Sequence, residues 1–250
     1  MSNYQRNTSM VVCIFAVIII GAIGVGALSF YGNSWFNWNT ATTEYHFDSE
    51  VGATTGTVTL DVNLGAGGVL ITFVDNDSLL YDIDIEVQNR TIQSDGAPTV
   101  TFSSNTIALD YIAGGVNITL GSGLNYTFDV DVATGGIDVV LVDGAHVGDV
   151  AINAETGGIS LEMTDDVVLL GNATFNLNAV TGGIDVIVDL PTGVGGSVEC
   201  AAGVGGVDIT AIGWTQITSN HYESSDYATA SQTLIVIIET ATGGITAIFT

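Results

Sequence analysis

Basic residues are nearly absent from this sequence, and their absence removes several functions at once. Lysine does not occur and arginine occurs only at Arg6 and Arg90, against 27 Asp and Glu residues, so the formal net charge is −25. Affinity for nucleic acid needs Lys and Arg to release counterions from phosphates, and anionic lipid headgroups attract basic segments. The sequence therefore predicts no nucleic-acid partner. The negative electrostatic potential of such a chain attracts cations and basic partners and suits high-salt solvent. Alternatively, the charge only keeps the protein soluble.

Cysteine and histidine are also scarce. Cys13 lies inside an apolar run and Cys200 lies far from it, so no intrachain disulfide is predicted. The three histidines, His46, His146 and His221, are widely separated along the chain. This count of possible ligands excludes a structural zinc site made of Cys and His.

The usual signatures of catalysis are missing as well. There is no Gly-x-Ser-x-Gly elbow, and no histidine stands in a Gly-rich or strand-end signature. The doublet Gly205-Gly206 has neither a following helix nor a lysine, so it does not read as a phosphate loop. We therefore predict that the protein is not an enzyme and carries no cofactor.

One long uncharged run is present near the N-terminus. It extends from Met10 to Phe30, close to the ~20 residues that a helix needs to cross ~30 Å of hydrocarbon. Aromatic residues follow it, and Arg6 precedes it, which orients the N-terminus inward. The sequence predicts a cytoplasmic tail (1–9), a transmembrane signal-anchor helix (10–31), a stalk (32–44) and an extracytoplasmic domain (45–250). A cleaved signal peptide, with the small residues Ala27-Leu28-Ser29 at the cleavage site, is the alternative.

Glycine is abundant, with 32 residues, and many of them form Gly-Gly doublets before a short β-branched run. The clearest copy is Thr134-Gly135-Gly136-Ile137-Asp138, and the steps between copies are about one coil of a β-solenoid. Glycine suits a tight corner because it tolerates positive φ and has no Cβ to meet the next coil. The second glycines are predicted to be structural turns: Gly68, Gly115, Gly136, Gly158, Gly183, Gly206 and Gly244.

The residues around the doublets alternate between apolar and polar, which is typical of half-buried strands. Ile or Val after each doublet is expected to point inward, and the residue after it outward. The fold class is therefore all-β, a solenoid-like repeat domain behind one N-terminal transmembrane helix. A β-sandwich in which the doublets are hairpin turns is the alternative. Residues 214–227 read as a long loop, and residues 233–239 as a strand that is buried on both sides or covered by that loop.

The Thr-Gly-Gly-Ile repeats, at Thr134, Thr156, Thr181 and Thr242, resemble those of adhesin-type domains in bacterial and archaeal surface proteins. These domains form a single-chain β-helix sometimes called a toastrack. The resemblance covers roughly residues 50–250. It implies an extracytoplasmic interaction or scaffold role, and it carries over no catalytic residue.

Calcium is the one metal for which the sequence offers ligands. Carboxylates could converge at the turn of Asp75 and Asp77, at Asp165-Asp166, or along a stacked column of Asp138 and Asp185, and calcium needs 6–8 oxygen ligands. The nonapeptide of calcium-binding solenoids is absent. A polar column that only keeps the surface soluble is the alternative.

Of three functions compared with this sequence, the first is the one we predict and the second is its alternative. The first is a membrane-anchored cell-surface module, adhesive or structural, that contacts a protein or carbohydrate partner. The second is an accessory ectodomain of an envelope-stress or membrane-complex sensor. The third, an exported hydrolase, normally needs a carboxylate or His cluster on a longer solenoid.

Overall fold

In most strands, buried apolar residues alternate with exposed polar residues, so that each strand has one face in the core. The computed structural model describes residues 41–142 and 144–250. The predicted tail (1–9), transmembrane helix (10–31) and most of the stalk (32–44) lie outside the described residues. Strand β1 begins at Thr42, within the predicted stalk.

Eighteen strands and one short helix are found in the described part of the chain. The first strands are β1 (Thr42–Glu50), β2 (Thr57–Val74), β3 (Leu79–Gln88), then α1 (Asn89–Asp95), β4 (Val100–Ser103), β5 (Thr106–Gly121), β6 (Asn125–Thr134) and β7 (Ile137–Leu141). The middle strands are β8 (His146–Thr156), β9 (Ile159–Met163), β10 (Val168–Leu169), β11 (Ala173–Thr181) and β12 (Ile184–Val188). The last are β13 (Val194–Val204), β14 (Val207–Ala211), β15 (Thr215–Thr218), β16 (His221–Glu223), β17 (Gln232–Thr242) and β18 (Ile245–Phe249).

Helix α1, seven residues long, was not foreseen, because it has no buried residue and therefore leaves no apolar periodicity in the sequence. No helix among the described residues is long and apolar enough to cross a bilayer.

The strands stack in rungs, each made of the two strand segments on either side of a Gly-Gly doublet. The segment before the doublet belongs to a first layer and the segment after it to a second layer, as in β6 and β7. Both layers are parallel along the stack. In the second layer, for example, Ile137 pairs with Ile159 and Ile159 with Ile184. The all-β prediction is confirmed, and the sheet is largely parallel.

The core lies between the two layers and is mostly aliphatic, with a few buried aromatic rings. The residue that follows most doublets, such as Ile137 or Ile184, is buried, and its successor faces outward. β-Branched side chains stack well on a pleated surface, which explains their repetition here. Near one end Phe73 packs on Tyr126 and Phe128, with ring centroids 5.7 and 6.2 Å apart.

The order of the rungs in space differs from their order along the chain. From one end to the other, the first-layer segments follow as β5, β2, β6, β8, β11, β17 and β13. The second layer repeats this order, with β18 between β12 and β14. The first two rungs are therefore exchanged, and so are the last two. The C-terminal strands β17 and β18 therefore lie inside the stack, between β11/β12 and β13/β14, and do not form its end.

Antiparallel strands cover parts of the two ends of the stack. At one end β3 pairs with β5 and β1 with β3, while β4 pairs with the other half of β5. At the other end β16 pairs with β13 and with β15. The sequence was read as a loop there because β15 is exposed at every position and shows no alternation. The strand read at 233–239 is interior because β17 is hydrogen-bonded on both edges.

Candidate functional site

The Gly-Gly corners form a continuous column through the stack. The second glycines named above lie at these corners, but it is the first glycine of most doublets that needs to be glycine. Gly135 has φ 148°, and a Cβ there would lie 1.5 Å from the carbonyl oxygen of Gly67. A Cβ on Gly136 would have its nearest neighbour at 3.8 Å, which is ordinary contact. The steric constraint thus falls one residue earlier than the sequence suggested.

One doublet, Gly195-Gly196, is not a corner. It lies within β13, where a Cβ on Gly196 would meet the ring of Trp214 at 2.3 Å. This glycine makes room for Trp214, which also packs on Phe249 with ring centroids 5.1 Å apart. The doublet therefore marks a packing contact at the end of the stack.

The outer surface of the first layer carries aligned columns of amides and carboxylates, which we call the Asn/Asp face. Its main column runs across six rungs in register, and most of its side chains are exposed. With strands ~4.8 Å apart, these six positions extend over roughly 24 Å. The main column consists of Asp110, Asn63, Asp131, Asn153, Asn178 and Glu239, and the adjacent column includes Asp61, Asp129 and Asn176.

Hydrogen bonds and charge connect neighbouring members of this face. The Asn153 amide nitrogen donates to the Asp131 carboxylate at 2.8 Å. The pKa of Asp129 is raised by partial burial, and also by the charges of Asp131 and Asp61. An amide both donates and accepts, whereas a carboxylate only accepts, so the columns mix both hydrogen-bonding roles. The sequence did not reveal this face because it forms only when rungs are paired in register.

The two carboxylates of the Asp75/Asp77 turn do come close together. The Ser122 hydroxyl donates to Asp77 at 3.1 Å and lies 3.3 Å from an oxygen of Asp75. The turn is exposed, and the Asn76 amide oxygen accepts from the backbone and hydroxyl of Ser78. The carboxylates thus meet around a hydroxyl within a well-bonded turn.

Asp138 and Asp185 lie in the same outward column but are not neighbours. Ser160 stands between them in register, so they are two strand spacings apart, roughly 9–10 Å. Burial raises the pKa of Asp138, whereas Asp185 is exposed. The column does not bring these two carboxylates to one point.

A serine, a histidine and a glutamate meet on β13 and β16, at the end of the stack that β15 and β16 cover. Ser197 Oγ lies 3.1 Å from His221 Nε2, and a Glu223 carboxylate oxygen lies 3.5 Å from the same nitrogen. A catalytic triad needs the acid on the opposite ring nitrogen, where it orients the base toward the nucleophile. This arrangement is therefore not a triad. The thiol of Cys200 is free and buried, and burial raises its pKa to about 12.

The described residues contain one group of three metal-ligating side chains close enough to share an ion: His46, Asp82 and Asp84. They lie on the outer side of β1 and β3, the antiparallel strands that cover the second layer at one end of the stack. Asp82 and Asp84 are two residues apart and therefore share one face of β3, but the sequence does not show that His46 lies opposite them. The period-two pattern of Glu44, His46 and Asp48 was a signal, although only strand register shows what it faces.

Comparison with known proteins places this fold. No protein-family model matches the chain, and no curated protein matches it in sequence. The structure is similar to that of a "putative cell adhesion protein" from Clostridium sporogenes ATCC 15579, with a TM-score of 0.67, 17% identity, and coverage of 84% of this chain and 100% of that one. A "putative adhesin" from Bacteroides fragilis NCTC 9343 also matches, with 11% identity over 83% of this chain and 98% of that one, but its TM-score is only 0.35. The first likeness shows an adhesin-type fold.

Proposed function

We propose that this protein is a cell-surface adhesion module: a β-solenoid (45–250) held at the membrane by an N-terminal anchor (10–31). The observation that carries the proposal is the likeness to the Clostridium sporogenes structure, which extends over the whole of that chain. The module acts by binding and has no catalytic role. Its C-terminal domain is extracytoplasmic, and its partner is a carbohydrate or a protein on a cell surface.

The Asn/Asp face is the contact surface in this proposal. It is broad and exposed, and its parallel strands are hydrogen-bonded to neighbours on both edges. Its side chains therefore keep fixed spacings along the stack. Mixed donors and acceptors at regular intervals suit a partner with many hydroxyl or peptide groups. The acidic charge of the chain disfavours nucleic acid and acidic polysaccharide, since like charges repel.

Binding to an array of neutral glycans and to surface proteins tests this assignment. The full chain is compared with a triple variant of the Asn/Asp face, Asn63→Ala, Asn153→Ala and Asn178→Ala. The matched control carries Asn117→Ala, Ser160→Ala and Thr246→Ala on the second layer. We expect at least a tenfold loss of binding in the first variant alone. Equal losses in both variants, or no binding by the parent chain, would contradict the proposal.

Two further measurements separate the alternatives. Alkaline carbonate extraction should leave the protein in the membrane pellet, whereas a soluble form lacking residues 1–29 would show a cleaved signal peptide. Photo-crosslinking from Asn153, followed by mass spectrometry, identifies a protein partner. Crosslinks only to a membrane signalling protein of the same cell would favour the accessory sensor ectodomain instead.

A further inference from the structure

The outer side of β1 and β3 brings a histidine into a row of carboxylates. The two strands are antiparallel, and their register places His46 opposite Asp84 and Asp48 opposite Asp82. This register is held from the other side of the sheet, where Phe47 pairs with the fully buried Ile83. A slip by one residue would turn Ile83 outward, so the polar cluster is specified by the core behind it.

The donor atoms of this cluster are close enough to share one ion, since they all lie within 4.8 Å of one another. His46 Nδ1 lies 2.8 Å from an Asp84 oxygen and 3.5 Å from an Asp82 oxygen. A tetrahedral zinc ion with ligands at ~2.0–2.2 Å needs donors about 3.3–3.6 Å apart. The Asp82 oxygen already lies at this distance from the imidazole nitrogen, whereas the Asp84 oxygen, now hydrogen-bonded to Nδ1, would have to move away by roughly 0.5–0.8 Å. The side chains are 43–62% exposed, so an ion can enter from solvent.

The charges at this edge are unbalanced in a way that a cation would correct. Besides the cluster itself, Glu44 stands directly opposite Glu86, and Asp48 opposite Asp82. Like charges directly opposite each other on paired strands are destabilising. The pairs persist here because the buried faces of β1 and β3 set the register. His46 is the only side chain in these two strands that can become positive.

We propose that His46, Asp82 and Asp84 bind one divalent cation of the zinc class, with water completing its coordination. An imidazole nitrogen with two carboxylates is a donor set for zinc and related transition ions, whereas calcium and magnesium take oxygen ligands. The Asp48 carboxylate lies 3.5 Å from His46 Nε2, so a small movement would let it accept from that second ring nitrogen and orient the imidazole. The site belongs to the end of the stack and is separate from the Asn/Asp face.

Isothermal titration of the full chain with Zn²⁺ in 150 mM salt tests the site. We expect one ion per chain, at least a tenfold weaker affinity in His46→Gln and in Asp84→Asn, and no change in the controls His146→Gln and Asp185→Asn. Thermal melts of all variants in EDTA show that each is folded. If His46→Gln fails to fold, Asp82→Asn and Asp84→Asn carry the test.

Three outcomes would overturn the assignment. The first is no heat and no thermal shift with Zn²⁺, which would leave His46 as an ordinary ion-pair partner. The second is zinc binding that is unchanged in His46→Gln and Asp84→Asn. The third is Ca²⁺ binding as tightly as Zn²⁺, with equal losses in Asp84→Asn and Asp185→Asn, which would show diffuse attraction to the acidic surface.

Discussion

A Cβ atom on Gly135 would lie 1.5 Å from the carbonyl oxygen of Gly67 in the neighbouring rung. The same close approach recurs along the corner column, where a Cβ on Gly157 would meet the carbonyl oxygen of Gly135 and one on Gly182 that of Gly157. Each rung therefore stacks on the backbone of its neighbour at a point where no side chain fits.

Gly135→Ala should destabilise the domain strongly, whereas Gly136→Ala should change little. Positive φ and a backbone clash together cost about 2–6 kcal/mol, and each kcal/mol lowers the Tm by about 2–4 °C in a domain of this size. Gly136 has neither problem, because its nearest neighbour would be 3.8 Å away. Thermal melts of both variants measure the difference. Equal melting temperatures would show that the backbone at this corner can shift to accommodate a Cβ on residue 135, which would contradict the prediction.

Truncation after Ser231 should abolish cooperative folding of the repeat domain. The removed strands, β17 and β18, fill the place between β11/β12 and β13/β14. Five large side chains of these two strands are buried: Leu234, Val236, Ile238, Ile245 and Phe249. Their burial contributes about 8–15 kcal/mol, which is comparable to the whole stability of a domain. Circular dichroism during heating tests this. A single sharp transition near the parental Tm would indicate that these strands form an end rung.

Asp138→Asn should stabilise the protein at pH 7, and the gain should vanish in acid. Burial raises the pKa of Asp138 above its ordinary value of 3.8, so ionisation is less favourable in the folded chain than in the unfolded one. Stability therefore falls as pH rises through this raised pKa and stays lower above it. The amide variant avoids that loss, but below pH 3.8 both side chains are neutral.

The measurement for Asp138 is the Tm of parent and variant between pH 3 and pH 8. Asp185→Asn, at an exposed position of the same column, is the matched control. A pH-independent difference for Asp138→Asn would mean that a lost contact, rather than ionisation, causes it.

Tyr126→Phe should destabilise the fold by about 1–3 kcal/mol, because it leaves a buried carbonyl without its donor. The Tyr126 hydroxyl donates to the carbonyl oxygen of Leu80 at 2.8 Å, and Tyr126 is fully buried. Tyr111 makes a similar bond of 2.7 Å to the carbonyl of Gly96, which is exposed. Water can replace that donor, so Tyr111→Phe should cost less. Denaturant titration of both variants would contradict this if the order were reversed.

Much of the local structure was readable in the sequence, since strand alternation and corner position are local properties. The inward side chain after most doublets, such as Ile137, follows directly from the period of two. Helix α1 and strand β15 were missed because neither buries a continuous face. The Asn/Asp face was missed because its members come from different rungs and become a surface only through parallel register.

His46 and Asp84 show the same limit at the candidate metal site. They are 38 residues apart in the chain, and nothing between them indicates that β1 and β3 pair. Asp138 and Asp185 show the reverse case. Their equal offset from a doublet suggested proximity, but the register places Ser160 between them.

By itself, then, the sequence determined the all-β class and, in most rungs, which side chains face the core, because strand alternation acts within a few residues. Tertiary structure alone decided the order of the rungs. The end rungs are formed by β5 and by β13/β14, and β2 and β17/β18 lie next to them, toward the middle of the stack. The physical reason is that every rung offers the same hydrogen-bonding edges and a similar apolar face. Backbone hydrogen bonding alone therefore does not distinguish one order of rungs from another. The order is selected by the side-chain packing of the complete chain.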